Sequence, residues 1–269
     1  MDKRKLEKEL NRITRQEYAM LLRSKHKKAA PMESLVGNKV PEGLADTLDA
    51  AFEKAFKVVF DKGTAVINMT FNEKKINQAE DSGRESQRRW IADMALTSVE
   101  GAGLGLLGIG IPDIPVFTGM ILRSVYQTAL CYNFDYNSTK EQIFILKVIE
   151  AALARGEAVE PLNQQVDAFM QAIDNDEMVF FGLVNEQIER TAKALSNEVL
   201  YMKFIQTVPI IGAAGGMYNP FCLHKVKNYA DLKYQKREVM KKIIDLEKKD
   251  REKLEENTDG NTQKTEENI

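Results

Sequence analysis

Apolar side chains recur along this chain at the three- and four-residue spacing of a helix, and no segment sustains the two-residue alternation of a half-buried strand. Residues 3–25 place Leu6, Leu10, Ile13 and Leu21 near one face, with Arg and Lys over the rest. Leu44, Leu48, Ala51, Phe52, Ala55, Phe56 and Val59 mark an amphipathic helix that stops at Gly63, a suitable residue just past a helix end. A further helix runs through Ile76. Ser82 and Glu85 form a capping box for the next, whose inner face is Trp90, Ile91, Met94, Ala95, Ser98 and Val99. A helix from Pro115 to about Tyr132 follows, and Ser138 with Glu141 caps another that ends at Gly156. Two more helices are broken near Gly182 and at Pro209, and the last, Phe221 to Leu254, becomes steadily more charged. The pattern predicts an all-α, multi-helix bundle of about eight helices. Its parts are a basic amphipathic helix over 1–30, a linker over 31–42, a helical domain over 43–250 and a disordered charged tail over 251–269.

Residues 103–115, GLGLLGIGIPDIP, contain the dinucleotide-binding spacing Gly103-x-Gly105-x-x-Gly108. That fingerprint needs a strand before the first glycine and a helix that starts within it. The segment before it is helical, and Pro112-Asp113-Ile114-Pro115 interrupts whatever follows. Asp113 comes too early to meet a ribose, and Asp135 sits in a turn. The nucleotide reading fails. Small residues among Leu and Ile let helices approach closely, so Gly101, Gly103, Gly105 and Gly108 read as the hinge of a helical hairpin. Gly212, Gly215 and Gly216, in TVPIIGAAGGMYNPFCL, repeat the character in a second Gly/Pro-rich apolar hinge. Val99 to Leu122 is apolar apart from Glu100 and Asp113, long enough to cross a bilayer. Two prolines and a carboxylate are costly in hydrocarbon, which favours a buried hairpin, with a membrane-dipping one as the alternative.

The polar residues around the first hinge are the candidate site. Asp113 is placed to cap the helix that follows it. Arg123 lies ten residues on, about 15 Å along that helix, beyond its reach. Glu100 and Arg123 fall at similar distances on opposite arms of the hairpin, which predicts a half-buried ion pair. An enzyme would draw on Glu100, Asp113, Tyr132, Asp135 and Glu141, with Arg123 to hold an anion. Against it, carboxylates near helix starts are ordinarily caps, and no nucleophile elbow, phosphate-binding loop or H-E-x-x-H motif is present. His26 and His224 read as surface or packed residues. Cys131 and Cys222, each beside apolar neighbours, read as buried reduced thiols. Neither a metal nor a cofactor is expected.

With 38 Lys and Arg against 40 Asp and Glu, the net charge is -2, which gives no reason to expect nucleic acid. The balance conceals a strong local bias. Residues 1–28 carry ten bases and four acids, whereas the last twenty carry seven acids and three bases. A basic amphipathic helix of this kind suits an anionic membrane surface. The N-terminus lacks the apolar core of a signal peptide, so the expected location is cytoplasmic. Met240, Ile243, Ile244 and Leu246 offer a seam to a partner helix, too short and irregular for a coiled coil.

The stretch VEGAGLGLLGIGIPDIPVFTGMILRSVYQTALCYNFDYNSTKEQIFILKVIEAALARGE resembles the signature region of the EcsC family. The matching features are Glu100 before the glycine run, Asp113 two residues before Pro115, the helix holding Arg123, the Tyr132-x-Phe134-Asp135 turn and Glu141 in the next helix. TVPIIGAAGGMYNP before a long helix is similar to the family's second block, and the likeness covers roughly residues 40 to 240. Asn133 stands where the family has Gly. The position is a helix C′ in the left-handed region, where Asn is next best, so the departure keeps the geometry. The resemblance implies a cytoplasmic or membrane-peripheral protein whose partner class is an ABC transporter, through an operon that EcsC shares with one. It implies no established reaction. The expected function is therefore an accessory protein at the inner face of a membrane. The alternatives are a soluble helical ligand-binding or scaffold protein with a pocket between the hairpins and, third, an enzyme using Glu100, Asp113 and Arg123.

Overall fold

The computed structural model describes residues 2–26, 43–62, 113–175, 183–204 and 220–266. These form seven α-helices: α1 (Lys3–Lys25), α2 (Leu44–Lys62), α3 (Asp113–Cys131), α4 (Thr139–Leu153), α5 (Val159–Asp174), α6 (Leu183–Phe204) and α7 (Pro220–Glu266). A 3₁₀ turn at Gly156–Ala158 joins α4 to α5, and there is no strand among the described residues. The fold is all-α, as the spacing predicts. Both glycine hinges, the helix through Ile76, the capping box at Ser82 and Glu85, and the break at Pro209 lie outside the described residues.

Five helices close a ring in which α2 packs on α3, α3 on α7, α7 on α4, α4 on α6 and α6 back on α2. α5 lies against α4, and α1 against α7 and α5. α4 is buried along most of its length, and its composition is the reason. It is apolar nearly all round, and Ile143, Phe144, Ile145, Leu146, Val148 and Ile149 lose all contact with solvent. Lys147, the exception in that run, lies over the Phe169 ring, and burial pulls its ammonium below the ordinary 10.5. The stripe expected on α2 is buried apart from the half-buried Ala51: Leu48, Phe52, Ala55 and Phe56 are inaccessible, and Phe52 meets Phe117 of α3 edge-on at 6.4 Å.

α3 ends as the resemblance implies. Asn133 has φ 62°, the one positive φ outside glycine among the described residues. Phe134 N–H donates to Ala129 O at 3.0 Å and Asn133 N–H to Leu130 O at 3.0 Å, the two bonds of a Schellman motif. Cys222 is buried, but Cys131 is exposed and corrects the reading of two buried thiols. Cys131 is the last residue of α3 and follows Leu130, itself exposed, so its apolar neighbours in sequence do not cover it.

α7 is 47 residues long, about 70 Å. Its helix continues to Glu266, past Leu254 and through most of the stretch expected as a disordered tail. After Pro220 the chain has no proline and one glycine, Gly260, among Lys, Glu, Arg and Gln residues that suit a helix. Two residues of the seam on its late turns, Ile243 and Leu246, have a partner within the chain, while Met240 packs on the main core and Ile244 is exposed. α1 runs antiparallel along α7, with Lys3 on Glu247 at one end and Glu17 on Lys233 further along. Leu6, Ile13 and Val239 close a small core there, flanked by Leu10, Leu232, Ile243 and Leu246.

Candidate functional site

One face of α7 is unusual. At four-residue steps it carries Lys225, Tyr229, Lys233 and Arg237, all buried. A buried cation needs a carboxylate, because desolvation otherwise exceeds what packing returns. Each cation lies in its own polar cluster, and each cluster ties α7 to a different combination of neighbours.

At the Arg237 cluster, the guanidinium donates from Nη1 to both oxygens of Glu141 (2.9 and 2.7 Å). From Nε and Nη2 it donates to Asp174 of α5 (2.7–2.9 Å). Its plane lies over Phe134 at 4.2 Å and Phe144 at 5.0 Å. Tyr234 O–H donates to Glu141 at 2.7 Å. Burial raises the Glu141 carboxyl above its usual range, with Arg237 and Tyr234 pulling the other way. Burial opposes the charge on Arg237 as well, yet Asp174 and Glu141 outweigh it and hold the guanidinium protonated. All these groups are saturated by one another, an arrangement that locks helices together and leaves no group poised to act on a substrate.

At the second cluster, Lys233 is wholly buried between Glu17 of α1 and Asp167 of α5, and Lys236 spans the same two carboxylates at 2.9 Å each. Tyr229 O–H donates to Asn163 at 2.8 Å beside it. At the third, Arg155 stacks on Tyr201 at 3.5 Å and donates from Nη2 to Glu198 at 2.5 Å. Lys225 Nζ lies 3.5 Å from the Ala154 carbonyl. Burial, then the charge of Glu198, pushes the Cys222 thiol up to about 12, so it stays protonated and unreactive. Arg155 Nε and Nη1 and Glu198 Oε1 are sealed from solvent and have no hydrogen-bond partner among the described residues.

The candidate residues read from the sequence are dispersed around this frame. Tyr132 O–H donates to Asp231 of α7 at 2.8 Å, and burial together with that bond raises its pKa well above 10. Asp135 is exposed and accepts from Asn137 N–H at 3.0 Å, a turn-closing role. Ser138 caps α4 by accepting from Glu141 N–H at 3.2 Å. The reciprocal half of the capping box is a correction: the Glu141 carboxylate turns inward to Arg237, because a buried guanidinium binds it more strongly than an exposed amide would. Among the described residues Tyr132, Asp135 and Glu141 share no hydrogen bond. Tyr132 and Glu141 approach neighbouring turns of α7 separately, and Phe134 reaches the same turns through its ring. Arg123 lies half-buried on α3, and Asp113 opens that helix. Glu100, the side chain of Asp113, and Gly101, Gly103, Gly105, Gly108, Gly212, Gly215 and Gly216 lie outside what the structure describes, and so does the expected Glu100–Arg123 pair. No group of residues among those described could hold a metal ion, and no described helix is long and apolar enough to cross a membrane. His224 is exposed, 2.9 Å from Asn228, in agreement with a plain surface histidine.

Two surface features remain. A groove of about 350 Å³ between α1 and α7 is lined by Lys5, Glu9, Gln235, Glu238 and Lys242 over Leu6 and Val239, too polar for the apolar pocket of a ligand binder. The outer side of α1 presents Arg4, Lys8, Arg12, Arg15 and Arg23, with Lys5 at its edge where the groove begins, all exposed. At 100° per residue these six lie within one arc of about 100°, with no acid inside it. Among them only Arg12 has a carboxylate partner among the described residues, Glu9 at 2.9 Å.

Residues 4–239, from the first turn of α1 to Val239 of the small core, match the model of the EcsC protein family. The chain belongs to the EcsC family. The matched span takes in α1, which the resemblance read from residues 40 to 240 left out. Over 157 residues the chain is also 24% identical to an uncharacterized protein, YdbA, of Bacillus subtilis (strain 168). That alignment covers 56% of this chain and 56% of YdbA, so the likeness spans little more than half of each. No solved structure matches the chain.

Proposed function

We propose that this EcsC-family protein is an accessory protein that docks on an anionic membrane surface through the outer face of α1. The observation that carries the reading is the acid-free arc of Arg4, Lys5, Lys8, Arg12, Arg15 and Arg23. Tyr18, the most exposed large aromatic among the described residues, stands at its margin, where interfacial aromatics are at home. The rest of the chain reinforces the orientation. Ten of the 38 bases and four of the 40 acids fall in residues 1–28, leaving 28 bases against 36 acids elsewhere. This bias concentrates basic charge on α1, which is where attraction to an anionic surface acts. The cytoplasmic face of a membrane, which carries anionic lipid, is the matching location. An ABC transporter in that membrane is the protein partner that the family resemblance adds.

Each basic residue near such a surface contributes about 1 kcal/mol, so the five without a carboxylate partner among the described residues supply roughly 5 kcal/mol, a dissociation constant on the order of 10⁻⁴ M. Co-sedimentation of the full chain with phosphatidylcholine vesicles, with and without about a quarter phosphatidylglycerol, tests the reading. Binding should require the anionic lipid and weaken at least about 100-fold in Lys8→Glu/Arg12→Glu/Arg15→Glu, whose three sites are exposed and leave the helices intact. Equal binding by that variant, or none by the native chain, overturns it.

A further inference from the structure

The attachment of α1 differs from that of the ring helices. Its fully buried apolar side chains, Leu6 and Ile13, belong to a small cluster closed by Val239, separate from the main core. Only Met20 and Leu21, towards its C-terminal end, pack against that core. Leu10 packs on the small cluster, and the other contacts are polar: Lys3 to Glu247 (2.8 Å), Gln235 to Glu9 (3.3 Å), Lys25 to Glu160 (3.1 Å), and Glu17 to Lys233 and Lys236. The outermost of these are solvent-exposed pairs, which water replaces at little cost. Glu17 is the informative member. It is buried in the middle of the apolar face of α1, yet its two lysines do not depend on it, because both also hold Asp167 of α5, at 2.7 and 2.9 Å. When α1 leaves, neither buried cation is orphaned. Without Asp167 the same departure would leave both lysines with no carboxylate partner and only water to replace Glu17.

Resting on the membrane reading above, we infer that α1 is an exchangeable arm: it leaves α7 at an anionic membrane and buries the face of Leu6, Leu10, Ile13, Met20 and Leu21 among the lipid headgroups. The basic arc lies opposite that face, so one rotation of the helix presents apolar side chains to the acyl boundary and Lys and Arg to the headgroups and water. Glu17 acts as the latch. It has two cationic partners on the protein and none in the bilayer, so it biases α1 towards the docked position.

The experiment uses the full chain, vesicles of phosphatidylcholine with about a quarter phosphatidylglycerol, and salt at about 0.1 and about 1 M, where charges are screened beyond roughly 3 Å. In a Cys131→Ser background, Lys3→Cys and Glu247→Cys are joined by a bis-maleimide spacer to hold α1 on α7. An inserted arm resists salt, so the uncross-linked protein should retain vesicle binding at high salt and the cross-linked form should lose it. Glu17→Gln should raise the fraction bound at high salt several-fold. If Glu17→Gln loses helix content without vesicles, the cross-link comparison decides alone. Identical salt curves for native, cross-linked and Glu17→Gln proteins overturn the arm and leave docking by the outer face standing. Binding by Glu17→Gln alone supports the arm and removes native docking. No binding by any form at low salt removes both.

Discussion

Arg237 is the residue whose loss should damage this protein most for the least change in volume. Arg237→Met keeps the aliphatic stem and deletes the guanidinium that bridges Glu141 and Asp174. Asp174 sits at the edge, its side chain 20% exposed, and can rehydrate; Glu141 is only 5% exposed and keeps one donor, the Tyr234 hydroxyl. Breaking a buried pair and stranding one charge costs about 3–5 kcal/mol. The guanidinium contacts with Phe134 and Phe144 contribute up to about 2 kcal/mol more, part of which the methionine sulfur recovers. Against a total stability of about 5–15 kcal/mol this is a large share, and it lowers the thermal midpoint on the order of 10 °C. Urea unfolding followed by far-ultraviolet circular dichroism measures it. Two further results should accompany the loss. Arg237→Met/Glu141→Gln should recover at least about 2 kcal/mol, since the neutral amide has no charge to strand. The deficit of the single variant should also shrink as the pH falls. A carboxyl whose folded pKa is raised by burial destabilises the fold while ionised, and that penalty is relieved as pH drops through the folded value. A single-variant loss under about 1 kcal/mol, or strictly additive losses in the pair, would refute the claim that this cluster locks α4 and α5 to α7.

Other outcomes follow from the same geometry. Asn133→Gly should be neutral or slightly stabilising, whereas Asn133→Val, forced to φ near 62°, should cost about 1–2 kcal/mol in urea unfolding. Lys236 keeps its proton more tightly when folded, because Glu17 and Asp167 outweigh its burial. Its contribution is therefore complete below pH 10.5 and lost as pH rises through the raised value, so alkaline thermal melts should fall less steeply in Lys236→Met than in the native chain. Titration with a thiol reagent should find one fast cysteine, Cys131, and one, Cys222, that reacts only on unfolding, its thiol buried and held at about 12; two fast thiols would contradict the packing at the start of α7.

The helices were legible in the sequence because their signals are local. Leu44 to Val59 recur at helical spacing whatever they pack against, Ser138 announces the start of α4, and Asn133 answers a φ requirement set by its own peptide units. The family was legible for the same reason, since its motif is a string of neighbours. What the sequence could not reveal is which charge meets which. Glu141 follows Ser138 at capping distance and reads as a cap until Arg237, 96 residues away, is brought within 2.7 Å of it. Lys233 and Arg237 look like solvated positions on a charged helix, although their four-residue register with Lys225 and Tyr229 was a signal available to be read. Glu17 looks like a break in the apolar face of α1 and proves to be its contact with two lysines 216 and 219 residues further on. The physical reason is one of range. Helix propensity, capping and turn geometry depend on residues within about four positions, whereas the energy of a charge depends on how completely it leaves water and what stands opposite it, and only the packing of α1, α4, α5 and α7 decides that.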